Sequence, residues 1–143
     1  MKIVIASDHA GVDYKARLIS YLEYNGFIVS DFGPETEDSV DYPDYAHKVA
    51  KEVSEGEVDF GILLCGSGNG INMSANKHKK IRSALCWKKE IALLARLHNN
   101  ANILTMPARF ISYEQAQEIT NIFLTTEFEG GRHQKRVNKI ANI

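Results

Sequence analysis

Residues 60–70 read FGILLCGSGNG, and this stretch decides the fold. Phe60 to Cys65 is a continuous apolar run. That is the pattern of a strand buried on both faces, as in parallel sheets covered by helices on each side. Gly66-Ser67-Gly68-Asn69-Gly70 breaks the run sharply, and a helix is expected to open near Ile71. Glycines at 66, 68 and 70 let the backbone turn tightly and aim several N–H groups at one point. A helix start adds positive potential there. The result is an anion cradle with Cys65 at its lip. A thiol so placed is expected below its ordinary pKa of about 8.5, toward neutrality. That would suit a nucleophile or a general base; a plain strand-to-helix turn with a buried cysteine is the competing reading. The loop is not a P-loop, because no Gly-Lys-Ser/Thr ends it, and it lacks the G-x-G-x-x-G spacing of a dinucleotide fingerprint.

Working outward, strand-like and helix-like segments alternate. Lys2–Ser7 is a β-branched run, and Tyr14, Leu18, Ile19 and Leu22 follow at helical spacing up to Gly26. Phe27–Phe32 reads as a second strand and 33–42 as an acidic loop. Pro43 suits the first turn of a helix carrying Ala46, Val49, Ala50 and Val53. After the central strand, Ile81–Trp87 reads as strand four, Glu90–Leu97 as a helix and Asn102–Met106 as strand five. Ser112 and Gln115 form a capping box for a helix through Leu124, and a last helix follows Gly130-Gly131 to about Ala141. Alternation without consecutive hairpins implies one α/β domain over residues 1–143: a three-layer α/β/α, Rossmann-like sandwich around a five-stranded parallel sheet. Ligands in such folds sit beyond the carboxyl ends of the strands.

The 143 residues carry a formal net charge of -1, with 44% apolar and 24% charged residues. Nothing in that balance points to nucleic acid or a membrane surface, and no apolar run approaches the roughly 18 residues of a transmembrane span. The start, MKIVIASDHAG, reads as a first strand rather than a signal peptide. The expected location is the cytoplasm, with Cys65 and Cys86 as reduced thiols.

Three further groups could carry chemistry. Asp8-His9 lies just past the first strand, where a site belongs, although a turn or an N-cap would read the same way. Arg132 and Arg136 are four apart and share a helix face, which matches a phosphate as well as it matches a solvated helix end. His98-Asn99-Asn100 ends a helix and precedes strand five, so it belongs at the amino edge of the sheet, opposite Cys65. A role for His98 in Cys65 chemistry would therefore suggest a site shared between subunits, whereas a histidine interacting with the helix dipole is the competing reading. His47 and His78 read as surface histidines, Cys86 as a core thiol, and Trp87, Tyr21 and Phe123 as packing. No Cys/His set has zinc spacing, so neither metal nor cofactor is expected.

Taken jointly, SDHAG at 7–11, DYPDYA at 41–46, GILLCGSGNGI at 61–71, SANK at 74–77, ARLHNNANIL at 95–104 and EGGRHQKR at 129–136 resemble the B-type ribose-5-phosphate and galactose-6-phosphate isomerase family, over essentially the whole chain. The resemblance implies an aldose–ketose isomerase with Cys65 as proton acceptor and His98 as the ring-opening proton donor, reaching in from a neighbouring subunit. It implies substrate contacts from Asp8, His9, Tyr42 and Asn99. The loop Gly66, Ser67, Gly68, Asn69 and Gly70 would hold the enediolate oxygens, and Arg109, Arg132 and Arg136 the phosphate. It also implies a homodimer or homotetramer with shared sites and a sugar phosphate as the small-molecule partner. Ser67 stands where many relatives have Thr, and Asn69 where an apolar residue is common. His98-Asn99 and the GGRHQ ending favour a pentose phosphate over galactose 6-phosphate, with allose 6-phosphate as a secondary substrate.

Overall fold

In the computed structural model, which describes residues 1–143, the central apolar run forms β3 (Phe60–Cys65). Around it lie β1 (Lys2–Ser7), α1 (Val12–Tyr24), β2 (Ile28–Asp31), α2 (Tyr42–Glu55), α3 (Asn69–Ala75), β4 (Ser83–Leu85), α4 (Lys89–Asn99), β5 (Ile103–Pro107), α5 (Tyr113–Thr125) and α6 (Arg132–Ile140). The strands make one parallel sheet in the order β2-β1-β3-β5-β4. This is the α/β architecture that the alternation predicts.

Side chains alternate across the sheet, so each strand feeds two cores. Ile3, Ile5, Ile62, Leu64, Leu104 and Met106 pack with Leu18 and Leu22 of α1, Ala92 and Ala95 of α4, and Ile119 and Phe123 of α5. Val4, Ala6, Leu63 and Ile103 pack on the other face with Ala46, Val49 and Ala50 of α2 and Ile71 and Ala75 of α3. Cys65 belongs to this second core. Phe123 and Cys86 are fully buried, as expected of core residues. Lys15 of α1 is also buried, and its Nζ lies 2.7 Å from both carboxylate oxygens of Asp31 at the end of β2. An amine buried that deeply requires such a partner.

Boundaries differ where side chains, not hydropathy, set them. β4 spans only Ser83–Leu85 rather than 81–87. It is an edge strand paired with β5 alone, and its entry is claimed by Asn76, which both accepts from Ser83 N–H and donates to its carbonyl. The helix after the glycine loop starts at Asn69, two residues early, because Gly68 at φ +78° serves as its N-cap.

The capping box at α5 is formed: Ser112 Oγ accepts from Gln115 N–H at 3.1 Å, and Gln115 Oε1 accepts from Ser112 N–H at 2.8 Å. Ser112→Ala is expected to cost about 1 kcal/mol. The check is a lower chemical-denaturation midpoint at unchanged slope; an unmoved midpoint would mean the cap contributes nothing.

Candidate active site

The sheet gathers residues by register. Ser7 of β1 pairs with Leu64 of β3, and Cys65 pairs with Pro107 of β5. The segments that leave these strands therefore meet at one carboxyl edge: Asp8-His9, Gly66–Gly70 and Arg109. The chain goes from β1 to β2 on one side and then returns to β3 on the other. The gap above β1 and β3 is thus the switch point at which such sheets bind ligands.

Asp8 is buried, and its Oδ1 accepts from Ala10 N–H at 2.8 Å, capping the short turn His9–Gly11. The N-cap reading of Asp8 is thus met. His9 Nδ1 faces the N–H of Val40 at 3.4 Å. Tyr42 opens α2, and its ring covers Gly70 so closely that any Cβ there would run into it. The backbone N–H of Arg109 donates to the Gly66 carbonyl at 3.1 Å. The Arg109 guanidinium lies over Gly66, where an added Cβ would stand 3.1 Å from its Nη1. Ser67 and Asn69 are exposed, and Ser67 Oγ accepts from Asn69 N–H at 3.3 Å.

The Cys65 thiol is only 7% exposed. Burial pushes it up, the N–H groups of Gly68 and Ile71 pull it down, and the Asp8 carboxylate pushes it up again by charge and by accepting from S–H. The balance is upward. This corrects the expectation of a depressed thiol: the cradle's donors are present, but packing against α3 and the neighbouring carboxylate outweigh them. The resting sulfur is therefore a neutral thiol. Cys86, with burial acting alone, is pushed up to about 12.

A hollow of about 460 Å³ borders the glycine loop on its other flank, walled by Ser67, Asn69, Leu85, Trp87, Pro107 and Phe110 among others. Trp87, expected to serve packing, is 47% exposed and lines that hollow. His47 and His78 lie at the surface and share one hydrogen bond at 2.9 Å.

The remaining expected site residues sit elsewhere. His98 and Asn99 close α4 just before β5 enters at its amino end. Arg132 and Arg136, both exposed, lie on α6, which packs against α4. The step from Gly61 to Cys65 along β3 alone spans about 13 Å at roughly 3.3 Å per residue. One chain thus holds two half-sets at opposite poles of its sheet. The amino pole also contains two residues that the sequence reading left out, Glu129 and His133. His133 stacks on His98, and Glu129 Oε2 lies 3.9 Å from Nε2 of each. Their i,i+4 spacing was visible in the sequence; their meeting with α4 was not.

Residues 3–140, which include both poles, match the family described as Ribose/Galactose Isomerase. The chain belongs to that family. It is 42% identical over 142 residues to ribose-5-phosphate isomerase B of Escherichia coli, covering 99% of this chain and 95% of that one. A crystal structure of a ribose 5-phosphate isomerase from Thermotoga maritima superposes with a TM-score of 0.97 at 51% identity, over 99% of this chain and 98% of that one. Ribose-5-phosphate isomerase B from Mycoplasma genitalium, solved with bound ribulose-5-phosphate, gives a TM-score of 0.94 at 43% identity, over 99% and 94%. As a member of the ribose/galactose isomerase family, the chain is an isomerase by lineage, and no helix in it is long and apolar enough to cross a membrane.

Proposed function

We propose that the chain interconverts ribose 5-phosphate and ribulose 5-phosphate through a cis-enediolate, in sites shared between two copies. The observation that carries this reading is the placement of Cys65 at the end of β3, where the Asp8 turn and the glycine loop meet at the β1/β3 gap. His98 of a second copy opens the furanose by moving a proton onto the ring oxygen. Asp8 takes the thiol proton, and the resulting thiolate takes the proton from C2. Charge then moves onto the C1 and C2 oxygens, where the Gly66–Gly70 amides and Ser67 supply donors. The hydroxyl proton passes from O2 to O1, the carbon-bound proton returns from sulfur to C1, and the ketose results. Donors aimed at a developing oxyanion are worth about 10²–10³-fold each. His9, Arg109, Arg132 and Arg136 bind the phosphate, and that remote binding holds C2 against the sulfur. Tyr42 and Asn99 line the sugar. Each step uses only groups of the chain itself.

The poles of one sheet support a homodimer or a pair of dimers, since neither pole is a complete set. The test is complementation. Cys65→Ala and His98→Asn, each purified and inactive, are mixed under conditions that exchange subunits. Half the pairs are then mixed, and each mixed pair has one intact site, so activity rises to about a quarter of wild type. Mixtures as inactive as their parents would refute the shared site.

A further inference from the structure

His98 does not stand alone at the amino pole. The His98 ring lies flat against His133, with centroids 4.2 Å apart and planes 13° from parallel. His133 is 6% exposed, and its buried Nε2 has no hydrogen-bond partner. An apolar side chain would fill that place without orphaning a nitrogen. Glu129, anchored by its N–H to the Leu97 carbonyl at 3.1 Å, points a carboxylate oxygen at both Nε2 atoms from 3.9 Å. These three side chains have the composition of a cation site, but not its shape. Lone pairs lie in the ring planes, so in a parallel stack they run side by side instead of converging on one ion.

We infer that His133 and Glu129 are positioning residues for the ring-opening histidine, His133 fixing the plane of the His98 ring and Glu129 steering its Nε2 edge. The inference rests on the role proposed for His98. The charges around the stack agree with it. Burial, His98, Arg132 and Arg136 together hold His133 below the usual histidine range, with Glu129 opposing. His133 is therefore a neutral plate at neutral pH, packed behind the more exposed His98 ring.

The test uses the assembled full-length protein and two readouts. Turnover of ribose 5-phosphate requires ring opening. Deuterium wash-in from D₂O at C1 of ribulose 5-phosphate, which has no furanose form, requires only proton transfer. His133→Ala is expected to lower the first about ten-fold and the second less than about two-fold. His133→Phe, which keeps the plane and loses the nitrogens, should recover most of the loss. Glu129→Gln is expected to lower ribose 5-phosphate turnover several-fold and leave the exchange rate in place; an equal loss in both readouts would count against its steering role. A selective loss in His98→Asn without one in His133→Ala overturns the inference alone. Equal losses in both readouts for His98→Asn overturn the ring-opening reading and this inference with it.

Discussion

Cys65→Ala is expected to lower turnover of ribose 5-phosphate by about 10³-fold or more, because a positioned base contributes about 10²–10⁴-fold and no other side chain at the carboxyl pole is aimed from its place. Asp8 is nearby, but its carboxylate is engaged in capping the turn at His9. Affinity should survive, since in the proposed site the phosphate is held by His9 and the arginines. The measurements are kcat in a coupled assay and calorimetric affinity for a non-isomerisable enediolate analogue. Removing one sulfur from a core that includes Ile71 and Val4 also leaves a small void. The variant should therefore melt slightly lower while remaining folded. Turnover within ten-fold of wild type would end the assignment of Cys65 as base.

Gly68→Ala tests how that sulfur is tuned. Gly68 sits at φ +78°, and an added Cβ would run into the Leu85 side chain. Its N–H is one of the two that favour the thiolate of Cys65. The left-handed conformation costs a non-glycine residue about 1–2 kcal/mol, and relief of the clash swings the N–H off the sulfur. The sign follows. The thiol already stands above its ordinary value through burial and Asp8, and losing a donor that pulls it down raises it further. The limb of the kcat/KM profile that reports the base moves to higher pH, and kcat falls by about 10²-fold, the value of one aimed donor. A pH titration of kcat/KM beside a melting curve separates this from simple unfolding. A limb shifted to lower pH would mean that some other group titrates.

The layered fold was legible because Phe60–Cys65 and the runs around Ile3 and Leu104 lack the half-polar alternation of an exposed sheet. The opposition of His98 and Cys65 was legible as well, since direction along a parallel sheet follows from chain order alone. Strand and helix ends were less so. Asn76 trims β4 by hydrogen bonds to Ser83, and Gly68 starts α3 early; neither is a matter of hydropathy. The protonation of Cys65 was misread because its two opposing influences are tertiary. The packing of α3 on β3 removes water, and the β1/β3 register brings in Asp8 from 57 residues away in the chain. Trp87 was read as packing at the end of a strand over 81–87, yet β4 ends before it and leaves it half exposed. Glu129 and His133 escaped because a stacked pair of rings has no sequence signature of its own.

The separation of His98 and Cys65 onto opposite poles carries a genetic consequence. With sites divided as proposed, a chain damaged at one pole that pairs with an intact chain spoils one reaction centre and spares the other. A chain damaged at both poles spoils both centres of its pair. Mixed with an equal amount of intact chain, a single lesion would thus leave about half of the centres working, and two lesions carried on one chain only about a quarter.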